Sequence, residues 1–264
     1  MRDFHKLNFF FGGGNLKQIA FPSRPVIAGR RRFARVFEGK YAEVAGAMIQ
    51  REREVIPGFA EEAFVKHEGD FRGKLVAWYE EEFPFFQTRF QGVSSAFAEE
   101  IIPVAKSEVG AEELELTQTE RYVRDVAENQ AGAYTSSSIG QMVKVTAAAE
   151  EGEEIAAVEE RLQKWSDRRA QDVGFGQSID CENAFAIFVY FAAGFRIVWV
   201  TVGKNCSFCN ALSGRTISEG QSFQSKGDVL EPDGVEGKKL TVTRLIRHPR
   251  LHASCDCTTR ATAF

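Results

Sequence analysis

The chain has 264 residues, a formal net charge of -4, 44% hydrophobic residues and 23 phenylalanines. That length supports one large or two modest domains with a hydrophobic core, and no run reaches the ~18 apolar residues of a membrane span, so no membrane contact is expected. The charge is uneven: residues 1–54 carry 11 Lys+Arg against 5 Asp+Glu, residues 55–160 carry 8 against 22, and residues 161–264 carry 14 against 10, which sets an acidic middle between basic ends suited to different partners.

Residues 1–29 contain FFFGGGN and FPSRPVIAG. Their Pro and Gly punctuation predicts an irregular arm, and its phenylalanines, buried on a partner, would contribute ~1.5–3 kcal/mol each. The first residues have no cleavage-site pattern, so no signal peptide is expected. Five cysteines in a reducing cytosol then favour metal ligation or free thiols over disulfides.

Residues 30–170 read as a helical region. Phe33, Val36, Phe37, Tyr41, Val44 and Met48 recur at three and four, predicting a helix from Arg30 that Pro57 and Gly58 stop. Residues 61–83 and 85–102 read as further amphipathic helices, broken at Pro84 and Pro103. Thr117 and Glu120 form a capping-box pattern at the next helical stretch. Ile155, Val158, Leu162 and Trp165 then share one helix face.

Residues 171–264 read as a small α+β domain. The apolar stretch NAFAIFVYFAAGF is a buried helix, with Cys181 just before it as a core residue. After Gly194 the composition turns β-branched and aromatic, and FRIVWVTVG, GRTIS and KKLTVTRLI read as strands. The fold class is therefore α+β: a mainly helical N-terminal and middle region, followed by a small zinc-stapled α+β unit.

The chemistry concentrates in this last part. Cys206 and Cys209 form C-x2-C just after a predicted strand, and His252, Cys255 and Cys257 form H-x2-C-x-C near the end. Two thiolates on a tight turn facing a second Cys/His cluster are the pattern of a four-ligand zinc site. The expected donors are Cys206, Cys209, His252 and either Cys255 or Cys257, of which Cys257 is preferred because H-x4-C leaves a longer loop to wrap the ion, with a four-cysteine site as the competing arrangement. There is no H-E-x-x-H and no deaminase pattern. With so many ligands the expected metal is a closed structural Zn2+ that staples a small sheet, and no enzymatic activity is expected.

Arg30, Arg31, Arg32 and Arg35 cluster where the first helix is predicted to start. Positive charge there opposes the helix dipole, so the cluster gains from an anionic partner, either an acidic protein surface or non-specifically bound DNA.

The order of these pieces resembles the phage Mu F-like head morphogenesis family, the minor capsid proteins of tailed phages. The resemblance is carried by Asn183 in a helix, Ala193-Gly194 at its end, Trp199 and Thr201 in a strand, then Cys206, Cys209, Leu212 and Gly214, and finally His252, Cys255 and Cys257. It covers residues 165–257, with a looser helical likeness over residues 30–164. Ala253 stands where the family has Pro, Asp256 where a basic residue is usual, and Gln177 at a position that is commonly acidic. The resemblance implies a low-copy structural protein of the virion, inside the head near the portal vertex. During assembly it would be in the host cytoplasm, acting with the portal protein and with other capsid or scaffold proteins. The competing readings are a zinc-containing nucleic-acid-processing enzyme and a host nucleic-acid-binding protein.

Overall fold

The computed structural model describes residues 24–202, 206–232 and 239–263, with side chains from residue 29 onward. Most of the arm expected over residues 1–29 lies outside the described residues. Its last part does not: helix α1 runs Arg24–Ala60, so it begins before Arg30. Then follow α2 (Phe71–Glu108), α3 (Thr119–Ala148), α4 (Glu154–Lys164) and α5 (Ala170–Ala192). Strand β1 (Arg196–Val200), the short helix α6 (Ser207–Leu212), β2 (Thr216–Ile217), β3 (Val229–Leu230), β4 (Leu240–Thr241) and β5 (Thr258–Thr262) complete the chain. A helical first two-thirds and a small strand unit beside the cysteines make the fold α+β. Among the described residues no helix is long and apolar enough to cross a membrane.

The three prolines expected to end helices do not end them. Pro57 lies inside α1, which continues to Ala60 and a wide turn over Glu61–Val65. The backbone reverses only at His67 and Gly69, both with positive φ. Pro84 and Pro103 lie inside α2. An interior proline costs ~3 kcal/mol, but each of these is flanked by fully buried side chains: Ile56 and Ala60, then Phe86 and Phe90, then Ile101 and Ala105. Packing of those neighbours outweighs the lost backbone bond. The Thr117–Glu120 capping box is not formed either. The cap of α3 is Gln118, without a side-chain hydrogen bond. On α1, Phe37, Tyr41 and Met48 are buried as expected, whereas Val36 is exposed.

Two compact units are interleaved along the chain. One comprises Arg35–Ala96 and Gln118–Ser178. Its aromatic core includes Phe86 and Phe90, each edge-on to Tyr134. At its centre the carboxylate of Glu52, fully buried, accepts hydrogen bonds from Tyr79 (2.5 Å), Tyr134 (2.8 Å) and Ser138 (2.8 Å). The guanidinium of Arg169 lies 3.6 Å from it and stacks on Trp165 and Tyr134. Burial pushes the Glu52 carboxyl above the usual carboxylate range, against the pull of Arg169 and the three hydroxyls. A raised folded-state value means that the stability tied to this proton is fully present below the ordinary carboxylate value. It is lost as pH rises through the folded value. Glu52→Gln is therefore expected to flatten the decline of stability with rising pH on the alkaline side of ~4.5, a change that urea unfolding of both proteins across pH measures directly.

The other unit comprises the described part of Met1–Ala34, with Phe97–Thr117 and Ile179–Phe264. Helices α2 and α5 both end here in the same way. Gly110 and Gly194 take positive φ. The N–H of Ala111 bonds Lys106 O, and that of Phe195 bonds Tyr190 O. This is the αL glycine stop that lets a helix reverse without an orphaned carbonyl. From Gly194 the chain enters β1, the centre of an antiparallel sheet in the order β2-β1-β5. Ile197 faces Ile217 on one side and Ala261 on the other. Trp199, fully buried, packs edge-on against Phe223. Strands β3 and β4 form a separate two-residue ribbon.

Candidate metal centre

The turn that carries the first cysteine pair caps itself. Cys206 is the N-cap of α6, and its Sγ accepts the backbone N–H of Cys209 at 3.4 Å. Gly214, at positive φ, then reverses the chain so that its N–H bonds Trp199 O at 2.9 Å. Both thiols are thereby fixed beside the end of β1.

The terminal cluster comes to this turn. His252 Nε2 lies 3.0 Å from Cys206 Sγ and 3.2 Å from Cys209 Sγ, and Cys209 Sγ lies 3.6 Å from Cys255 Sγ. Donor atoms group in two trios, Cys206-Cys209-His252 and Cys209-Cys255-Cys257, with Cys209 common to both. A tetrahedral ion with bonds of ~2.0–2.3 Å separates neighbouring donors by roughly 3.5–3.8 Å; the thiol pair at 3.6 Å lies in this range, and the two imidazole contacts at 3.0 and 3.2 Å are somewhat tighter. All five residues singled out from the sequence are thus assembled at one place, and this cluster can hold a metal ion. Cys209, Cys255 and Cys257 are buried, while Cys206 faces solvent.

The protons of the thiol cluster are shared unevenly. Cys255 is held low, first by the hydrogen bond from Cys209 and then by Cys257. Cys209 is pushed up, first by its hydrogen bond with Cys255, then by Cys257 and by burial. A metal needs deprotonated thiols, and the contacts here already favour one thiolate.

Around the donors lies a frame that cysteine spacing does not reveal. On α5, Asp180 binds Arg250 at 2.8 Å and Arg244 at 3.5 Å. Arg250 and Arg244 together hold the Asp180 carboxyl below its usual range although burial opposes this. Glu182 accepts from Thr258 Oγ1 at 2.9 Å, and Asn183 reaches both Cys257 O (3.3 Å) and Thr259 Oγ1 (3.2 Å). The acid next to Asn183 in the chain is Glu182, in the same unit of the fold; Gln177 falls in the other unit. The available signal was two carboxylates, Asp180 and Glu182, inside the otherwise apolar second half of α5.

The arginine cluster does not form one surface. Arg30 is fully buried, 2.9 Å from Glu108 and 3.4 Å from Glu182, and donates to Thr259 O at 2.5 Å. Arg31 is 3.8 Å from Glu182 and mostly covered. Only Arg32 and Arg35 are exposed. The anionic partner that such a cluster requires is, for Arg30 and Arg31, supplied by the protein's own carboxylates. Glu108 accepts from the Tyr190 hydroxyl as well. Burial pushes its carboxyl up, while Arg30 and Tyr190 pull it back.

No family model, curated protein or solved structure matches this chain.

Proposed function

We propose that this chain is a structural minor capsid protein of a tailed phage. It sits inside the head near the portal and acts in procapsid assembly and in DNA packaging and ejection. The observation that carries the proposal is the convergence of the residues on which the resemblance rests. Cys206, Cys209, His252 and Cys255 gather at one point, and Asn183 holds the backbone at Cys257. Trp199 bonds the turn at Gly214, and Thr201 meets Ser213 at 3.2 Å. Residues scattered over 75 positions of sequence, from Asn183 to Cys257, form one local structure, as expected if they serve one role.

In this reading the metal is Zn2+ and its work is to hold the fold. Thiolate and imidazole donors suit zinc. The nearby acids Asp180 and Glu182 are held by arginines and a threonine, which favours a structural over a catalytic ion. The partners are the portal protein and neighbouring capsid or scaffold proteins. Direct contact with DNA falls to Arg32 and Arg35, a small non-specific contribution that weakens with salt.

The test is co-expression with the portal, scaffold and major capsid proteins of the phage that carries it. Recovery of the chain inside procapsids, at low copy and only when the portal is present, is the expected result. Procapsids that contain the portal but leave this chain free in solution would overturn the proposal.

A further inference from the structure

We infer that Asp180, Glu182 and Asn183, on one turn of α5, are positioning residues for the metal: they anchor both ends of the loop that carries His252, Cys255 and Cys257. The inference rests on the metal-binding reading above.

The entry to the loop is held by charge. Arg250 and Arg244 share the two oxygens of Asp180, and Arg244 also donates to Arg250 O at 2.8 Å. The exit is held by hydrogen bonds. Asn183 donates to Cys257 O and accepts from Thr259, and Glu182 accepts from Thr258. Asp180 and Asn183 stand three apart on a helix, which places their Cβ atoms ~5–6 Å apart. Seven residues, Leu251–Cys257, run between the two anchors. A segment of that length pinned at ends so close must double back. Its donors therefore stay grouped and face the turn of Cys206 and Cys209.

The anchors are themselves immobilised. Glu182 and Asn183 are fully buried, and Asn183 also donates to Ile179 O at 2.9 Å. Arg30 lies against Glu182 and donates to Thr259 O, closing the exit from behind. None of the three side chains is a ligand. Their effect is to remove conformations that the loop would otherwise lose on binding the ion, which is how outer partners of metal ligands raise affinity.

The experiment measures zinc affinity by competition with a chromophoric chelator, on the full chain, for the wild type, Asp180→Asn, Asn183→Ala and Thr259→Val. Co(II) absorption spectra of each report which donors are bound. Each variant is expected to lose ~10–100-fold in affinity, with unchanged positions of the Co(II) bands. Asp180→Glu should recover part of the loss. Phe185→Leu, in the core of the same unit and packed edge-on against Phe97, should leave the affinity unchanged while lowering stability. If Asn183→Ala does not fold, the partly exposed Asp180→Asn decides alone. Variants within about twofold of a metal-binding wild type, or shifted Co(II) bands, would overturn the inference while leaving the metal site intact. A wild type that binds neither ion would overturn the metal reading and this inference with it.

Discussion

Arg30→Ala is expected to destabilise the unit that bears the cysteines by roughly 3–5 kcal/mol, the cost of removing one partner from a buried ion cluster. Arg30 has no exposed surface, and its guanidinium faces Glu108, Glu182 and the carbonyl of Thr259. Alanine leaves both carboxylates buried beside Tyr190 and Arg31 with most of their compensating charge gone. The origin of the loss is separable from lost packing. A triple variant, Arg30→Met with Glu108→Gln and Glu182→Gln, retains volume and the acceptors used by Tyr190 and Thr258, while removing the charges. Replacing a whole buried charge group by neutral residues is often near neutral, so the triple variant should regain most of the stability. Urea unfolding monitored by tryptophan fluorescence and far-UV circular dichroism reads all three proteins. An Arg30→Ala protein as stable as the wild type would mean that the cluster is held open to solvent.

What could be read from the sequence divides by the kind of information involved. The cysteine pairs were visible because metal chemistry restricts both residue type and spacing. The strand at Arg196–Val200 and the buried helix before it were visible because their composition is extreme. The prolines do not mark helix ends because packing, which no backbone preference contains, opposes them. In α2, Phe86, Phe90, Ile101 and Ala105 are fully buried on both sides of the expected breaks. The strand KKLTVTRLI shrank to Leu240–Thr241 because its buried residues bond loops instead of a long partner. Val242 pairs with Asp228, and Ile246 with Gln224. Conversely, β5 lies in TTRAT, which carries no apolar alternation, and becomes a strand through a five-residue register with β1. The anchors Asp180, Glu182 and Arg30 could not be found by spacing. Each is a single polar residue whose ion-pair partners lie 64 or more positions away, and the fold brings them together.

On the proposed reading of the centre as a structural zinc site, removing the metal is expected to have the largest effect, and the order of the ligand substitutions should follow the geometry. Cys209 is the donor common to both trios. Cys209→Ser should therefore abolish stoichiometric metal binding and unfold the sheet unit, because the binding free energy of a structural zinc is folding free energy. Cys206→Ser and His252→Ala each remove one donor of a single trio and should weaken binding without ending it. Between the last two cysteines, Cys255 lies 3.6 Å from Cys209. Cys255→Ser is thus expected to lower the melting temperature more than Cys257→Ser, whose backbone remains held by Asn183. Chelation of the wild type should reproduce the Cys209→Ser phenotype and be reversed by added zinc, while the unit containing Glu52 keeps its helical signal. Without the ion, the closure of a loop of roughly 50 residues between the two cysteine pairs loses its metal crosslink, and the α5 anchors and β5 are among the contacts left to offset its entropy. The checks are metal content of protein purified without added metal, and thermal unfolding of each variant. A stoichiometry near zero with unchanged melting of Cys209→Ser would exclude a structural metal at this centre.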